Sequence, residues 1–347
     1  MTQTLMIPDD LIASIPAFLG FYPTDSLVVT AIFPEPDQPG KSLVGPITRA
    51  DLADDGAVEA TLLSLADIGV TVTFAFFVGE GPGGERPGIE NAHMLCRRAV
   101  RHGIQVLAVW WVPEIMSGAP FRKLADNTAP EWGGNPTLRA NGVLPDIATG
   151  AAMRELISGS GMLPELSRED ALSFFSSVVY GDFGIGVERM TMEAEKRSAQ
   201  IAEELSRSGT DQARSLLRVM VGRWLSELRA SPAGDDDVGR DEEALFSVAG
   251  LLVRPEIRDL VLGIASEEHH PPALQNAMLV IARMFRGTIR CNALCVYAVT
   301  LIAAGRTARV WAALRCAYDE DSGHRLTGLL MAAYRRGRFD LILESCR

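Results

Sequence analysis

The spacing of hydrophobic positions changes along the chain, and the change predicts two kinds of structure. In the first third, short apolar runs rich in β-branched residues alternate with stretches whose apolar residues recur at helical spacing. The runs that predict strands are Leu27–Phe33, Ser42–Thr48, Val70–Val78 and Ile104–Val112. Strands separated by single helices predict a layered α/β domain with a mixed sheet and packed helices.

The rest of the chain is predicted to be helical. Its apolar residues recur every three or four positions, and the polar stretch Ser231–Asp237 has the composition of a linker. We therefore predict an all-α C-terminal region after the α/β domain. The expected divisions are an α/β domain at 1–145, a helical connection at 146–230 and a helical domain at 238–347. Segment 114–141, rich in Gly, Pro, Trp and Asn, is predicted to form a lid-like excursion from the first domain.

The last predicted helices contain a pattern that is typical of a helical repeat. Leu294, Tyr297, Leu301 and Leu314 are spaced as in the paired helices of a tetratricopeptide unit, and Gly305 stands between the two helices. The pattern resembles one tetratricopeptide-type helical hairpin. Ordinary antiparallel helix packing is the alternative.

Composition limits the possible classes of function. The chain has 347 residues, 47% of them hydrophobic, so a sizeable core is available. Its net charge of −11 argues against a broad electrostatic surface for nucleic acid or anionic membrane. The first residues lack the features of a signal peptide, and the longest low-polarity helical run is shorter than the ~20 residues that span a bilayer. We therefore expect a cytoplasmic protein with reduced thiols and no cofactor.

One block near the N-terminus is distinctive. Ile15–Val29 reads IPAFLGFYPTDSLVV: a helical run ends at Gly20, an aromatic pair and Pro23 follow, and a turn leads into the first strand. This block resembles the N-terminal signature of the actinobacterial DUF4192 family. The resemblance extends to Trp110-Trp111, Ser167-Arg168-Glu169, Ile257-Arg258-Asp259 and Gly287–Gly337. The name of this family records an unknown function, so the resemblance implies no activity, cofactor or catalytic residue.

A glycine-rich loop follows the third predicted strand. Gly79–Gly84 matches the GxGxxG pattern that lets a backbone approach a pyrophosphate. Pro82 lies inside the turn, and Glu80 and Glu85 would repel phosphate. A flexible loop is therefore the favoured interpretation, with nucleotide binding as the alternative.

Two pairs of residues have the spacing of metal ligands. They are His93 with Cys96 and Cys291 with Cys295. Neither pair brings the third and fourth ligands that a zinc site needs. Buried cysteine is commonly a small core residue, so we predict no metal site.

The turn into the first strand is a better candidate for a ligand site. Asp25 and Ser26 place a carboxylate and a hydroxyl where α/β folds often bind ligands. The alternative is that both residues cap the turn through backbone hydrogen bonds. With Tyr22 and Trp111 they form the candidate ligand-binding set, and no catalytic residue can be nominated.

Without a catalytic constellation, the sequence favours a non-enzymatic interaction or regulatory protein. We expect its C-terminal helices to bind an unknown protein partner or a second copy, with Tyr297, Trp311 and Leu314 as candidate interface residues. For Trp311 the alternative is a place in the core. The alternative function is a small-molecule-binding hydrolase or transferase, with its site between the sheet and segment 114–141.

Overall fold

The chain forms two compact units, Met1–Asp170 and Ala171–Arg347, in a computed structural model. The structure describes residues 8–34, 42–127, 138–160, 162–177, 186–207, 210–227, 242–267 and 272–346. The predicted linker Ser231–Asp237 lies outside the described residues. Among these residues, the first unit contains a sheet with helices and the second contains only helices, which confirms the predicted fold class.

A six-stranded sheet organises the first unit. Its strands are β1 (Ser26–Pro34), β2 (Ser42–Asp51), β3 (Val72–Val78), β4 (Gln105–Val112), β5 (Pro120–Asp126) and β6 (Asn141–Val143). They lie in the order β2-β1-β3-β4-β5-β6. β3 and β4 are parallel, and the other neighbours are antiparallel. The sheet is therefore mixed, as the alternation of strand and helix patterns predicts.

Helices cover both faces of this sheet. They are α1 (Pro8–Leu19), α2 (Asp55–Asp67), α3 (Ile89–Arg101) and α4 (Ala151–Ser160), and α5 (Arg168–Ser173) crosses the boundary between the units. One apolar core joins α2 and α3 to the sheet, and a second core joins α1 and α4 to the opposite face. Because β3 and β4 are parallel, α3 is the crossover between them.

Part of the segment expected to form a lid belongs to the sheet. Within 114–141, β5 pairs with β4, and β6, which begins at Asn141, pairs with β5. Phe121 and Leu124 of β5 are buried on opposite faces of the sheet. Residues 128–137 lie outside the described residues. The turn-rich composition of the segment concealed a strand, because β5 is short and its alternation of buried and exposed positions breaks at Leu124 and Ala125, which are both buried.

The second unit is a bundle of helices around α11. Its helices are α6 (Val187–Ser206), α7 (Thr210–Glu227), α8 (Glu242–Gly250), α9 (Pro255–Ala265), α10 (Pro272–Met284), α11 (Gly287–Ala303), α12 (Val310–Glu320), α13 (Arg325–Arg335) and α14 (Phe339–Cys346). α11 is buried from Ile289 to Ile302 and contacts α9, α10, α12, α13 and α14. In a repeat stack each unit contacts only its neighbours. Since α14 also packs on α9 and α11, these contacts favour ordinary helix packing over the tetratricopeptide interpretation.

A buried ion pair anchors the start of α11. Arg290 is 6% exposed, and its guanidinium lies 3.1 Å from the Glu320 carboxylate and donates to the carbonyl of Phe175 at 2.7 Å. Glu320 also accepts the backbone N–H of Gly287 at 2.7 Å. Burial lowers the pKa of Arg290 from its usual value. Removing Glu320 would leave the buried charge of Arg290 without its carboxylate, which is the costly way to break such a pair.

The described helices include none that could span a membrane, because none combines sufficient length with an apolar sequence.

Candidate functional site

Asp25, Gly79 and Trp111 meet at one edge of the sheet. Asp25 precedes β1, Gly79 follows β3, and Trp111 is the second-last residue of β4. The strand register places the first residue of β1 level with the last residues of β3 and β4. Ligands of α/β folds commonly bind beyond the carboxyl ends of parallel strands. Three of the predicted ligand-binding residues, Asp25, Ser26 and Trp111, therefore lie at the expected kind of edge.

The two side chains converge on a single peptide group. Trp111 Nε1 donates a hydrogen bond to the carbonyl of Gly79 at 2.8 Å. The N–H of Glu80, which belongs to the same peptide group, donates to Asp25 Oδ1 at 3.0 Å. The peptide that begins the glycine-rich loop is thus held from both sides by neighbouring strands. The hydrogen bond between Trp111 and Gly79 satisfies the buried indole N–H and the Gly79 carbonyl. A buried polar group without such a partner would be costly.

The backbone conformation of Gly79 and Asp25 restricts which residues can occupy these two positions. Gly79 has φ +85°, and a Cβ there would lie 2.6 Å from Asp25 Oδ1 and 2.7 Å from Asp25 N. Asp25 itself has φ +43°, a left-handed conformation that Asp tolerates better than most residues. The close approach explains why a glycine stands after β3.

The glycine-rich loop closes on itself and on Trp111. Gly81 N donates to the carbonyl of Glu85 at 2.6 Å, and Gly84 N donates to the carbonyl of Gly81 at 3.1 Å. The guanidinium of Arg86 lies 4.2 Å from the centre of the Trp111 ring. Two amides that a phosphate would need are therefore engaged within the loop. This geometry favours the structural interpretation of the GxGxxG match.

Ser26 and Tyr22 are also held by neighbours. The buried Ser26 hydroxyl donates to the carbonyl of Thr24 and accepts from Arg49 Nε at 2.7 Å. Tyr22 is half-buried, its N–H donates to the carbonyl of Glu165 at 3.0 Å, and burial raises the pKa of its phenol. The Ser26 contacts favour the alternative interpretation of this turn, in which the residue has a structural role.

The cysteine pairs show no reactive thiol. Burial raises the pKa of Cys291 to about 11 and that of Cys295 to about 12, so both are protonated near neutral pH. Cys96 accepts a hydrogen bond from Asn127 Nδ2 at 3.1 Å. Across the described residues, no three His, Cys, Asp or Glu side chains are grouped to hold a metal ion. The adjacent His269 and His270 lie outside those residues.

Comparison with known proteins decides the family. The family described as a domain of unknown function, DUF4192, matches residues 8–338. The chain belongs to the DUF4192 family. No curated protein and no solved structure matches it. The match covers most of both units, which confirms the resemblance carried by the Ile15–Val29 block.

The predicted interface residues of this DUF4192 chain occupy different environments. Tyr297 and Leu314 are each 1% exposed, and the Tyr297 ring centre lies 5.3 Å from that of Phe175. Both residues belong to the core of the bundle, because α11 is surrounded by helices and Leu314 lies on the buried side of α12. Trp311 is half-buried and therefore reaches the surface. Of the three, Trp311 alone is not fully buried.

Two further residues of the DUF4192 chain share the exposed side of α12. Arg315 and Tyr318 follow Trp311 at i+4 and i+7, so the three lie along one side of the helix. Tyr318 is 40% exposed, and the guanidinium of Arg315 lies 5.8 Å from its ring centre. Sequence reasoning missed this set because it looked for apolar residues, whereas the helical spacing of Trp, Arg and Tyr could have revealed it.

Proposed function

We propose that this DUF4192 protein is a cytoplasmic, non-enzymatic interaction protein that binds another protein through the outer side of α12. The α12 surface consists of Trp311, Arg315 and Tyr318. Trp, Tyr and Arg are the residue types most enriched at interfaces and at their energetic hot spots. The observation that carries the proposal is that these three stand in line on one helix with none of them fully buried.

The buried residues of α12 attach the α12 surface to the bundle. Ala312, Ala313, Leu314 and Ala317 are buried against the bundle, where α11 is the main neighbour of α12. Arg315 is further ordered by an ion pair with Asp319 at 2.8 Å. Side chains that are already ordered lose less conformational entropy on binding.

The enzyme alternative has less support from the geometry. Asp25, Ser26 and Trp111 all hydrogen-bond to backbone groups of their own unit. Within the described residues, neither a grouped set of metal ligands nor a thiol with a lowered pKa accompanies them. Their contacts support a loop-positioning role at the sheet edge.

The experiment compares single variants of the full chain. Tyr318→Ala should abolish assembly or partner binding while the melting temperature stays near that of the wild type, because exposed substitutions usually change stability by no more than ~0.5 kcal/mol. Trp311→Ala should also abolish binding, with some loss of stability because the residue is half-buried. Light scattering, co-purification from the native host and thermal melts provide the readouts.

Leu329→Ala is the matched control. Leu329 is 60% exposed but belongs to α13, so its removal should leave binding unchanged. A wild type that is monomeric and brings down no partner, together with a strongly destabilised Trp311→Ala, would contradict the proposal.

A further inference from the structure

Among the described residues, the helices on one face of the sheet do not extend over β6. α2 and α3 share a core with β1, β3, β4 and β5 on this face, whereas α1 and α4 pack on the other face. Among the described residues, no helix follows α3 toward β6 on the α2–α3 face. In layered α/β folds, helices normally cover such a face.

One side of α3 borders this open strip. Ile89, His93, Cys96 and Val100 recur at i, i+4, i+7 and i+11, so they lie along one side of the helix. Cys96 accepts a hydrogen bond from Asn127, the residue directly after β5, so this side of α3 is directed toward β5. The line of residues therefore faces the space above β5.

The strand register defines the floor of the strip. Leu124 of β5 belongs to the same core as α3, and Arg122, two residues earlier, lies on the same face of the sheet. Arg122 pairs with Asn141, and Pro120 pairs with Val143. Directly paired residues share a face. We define the α3 shelf by Ile89, His93, Val100, Arg122, Asn141 and Val143.

The shelf combines exposed apolar side chains with an uncompensated positive charge. Ile89, Val100 and Val143 are 58%, 65% and 62% exposed. Arg122 is exposed and forms no ion pair or side-chain hydrogen bond in the part of the chain that the structure describes. The exposed guanidinium gives this surface a local positive charge in a chain whose net charge is −11. Exposed apolar residues around a cation match an amphipathic ligand with a negative charge.

The dimensions of the shelf match one α-helix. Packed helices lie ~8–10 Å apart, and two strand spacings cover a similar distance of ~10 Å. A helix beside α3 would therefore lie above β5 and β6. α3 has 13 residues and is roughly 20 Å long, so three to four turns would span the shelf.

We propose that the α3 shelf binds an amphipathic α-helix of another protein, with apolar residues against Ile89, Val100 and Val143 and a carboxylate against Arg122. A second copy of the chain fits poorly, because a two-fold contact between shelves would bring two unpaired Arg122 side chains together. This mode lays the apolar face of a helix into a groove. It is independent of the proposed function, which uses α12 in the other unit.

The test is site-specific photo-crosslinking of the full chain in its native host. Benzoylphenylalanine replaces Val143 in one variant and Val100 in another, and mass spectrometry maps the captured peptide. Both positions should capture the same helical segment, with acidic residues along one side. Adding Arg122→Glu should reduce the yield about tenfold or more, whereas Arg122→Lys should retain most of it.

Leu63 provides the matched control position. It is 50% exposed on α2, away from the shelf, and should not capture that segment. Arg122→Glu should melt at the wild-type temperature, since Arg122 has no partner to lose in the described part of the chain. Capture of a second copy, of a segment without acidic residues, or of nothing at all would overturn the proposal. Equal capture by the Leu63 variant, or insensitivity to Arg122→Glu, would do the same. None of these outcomes affects the α12 surface, whose variants are tested separately.

Discussion

Asp25 and Trp111 bind opposite sides of one peptide group. The carboxylate of Asp25 accepts the N–H of Glu80 at 3.0 Å, and the indole of Trp111 donates to the carbonyl of Gly79 at 2.8 Å. β1 and β4 are the two neighbours of β3 in the sheet, and the glycine-rich loop begins where β3 ends. Asp25 precedes β1 and Trp111 lies in β4, so their hydrogen bonds tie the loop to both of these strands. The relationship gives two candidate ligand residues a contact that supports the loop, and this role is measurable through stability.

Gly79→Ala should destabilise the protein strongly. Its positive φ disfavours any side chain, and the added methyl group would overlap Asp25. We expect the free energy of unfolding in urea to fall by about 2 kcal/mol or more. Gly83→Ala is the matched control, because Gly83 has φ +78° but nothing within 4 Å of an added Cβ, and it should cost only about 1 kcal/mol. Equal losses for the two variants would show that the close approach to Asp25 is unimportant.

Asp25→Asn should be tolerated, whereas Asp25→Ala should not. Asparagine keeps an oxygen that can accept the Glu80 N–H, and it also tolerates the left-handed backbone. Alanine loses the acceptor and resists the positive φ, so its thermal unfolding should report a loss of about 1–2 kcal/mol. If asparagine proves as harmful as alanine, the negative charge of Asp25 matters and a ligand role regains support.

The capping histidine of α13 should make stability depend on pH. His324 Nδ1 accepts the backbone N–H of Thr327 at 3.4 Å, so the cap requires the neutral ring. Burial, followed by the positive charge of Arg258, lowers the pKa of His324 below 6.5. The folded state therefore binds its proton less readily than the unfolded state. The stabilising contribution is complete above about pH 6.5 and is lost as the pH falls through the folded pKa.

Unfolding measurements between pH 8 and pH 5 test this dependence. His324→Asn is the informative variant, since asparagine caps helices well but does not titrate. The difference in stability between wild type and variant should shift in favour of the variant as the pH falls. A difference that does not change with pH would contradict the role of His324.

The protein should not bind duplex DNA specifically. Its net charge is −11, and phosphate contacts require a basic surface and produce a steep dependence on salt. A titration at physiological ionic strength should show no submicromolar binding. Tight binding that weakens as salt rises would overturn this expectation.

The sequence by itself determined the elements whose signals are local. The β-branched runs and the helical spacing between them predicted β1 to β4 and α3, because side-chain periodicity reflects which positions face a core. Gly20 ends α1 with φ +82°, where the composition of the Ile15–Val29 block places the end of a helix. The family also followed from local motifs, and the match over residues 8–338 confirmed it.

Only the tertiary structure decided which of these elements meet. β5 lies in a turn-rich segment, and its pairing with β4 gives it a place that its composition does not reveal. Tyr297 and Trp311 are both large aromatic residues in the C-terminal helices. Tyr297 is enclosed by the helices around α11, whereas Trp311 reaches the surface. Asp25 and Trp111 are far apart in the chain and meet because their strands flank β3. Spacing along a helix or strand is a local property, whereas burial and contact between distant residues depend on how whole faces pack.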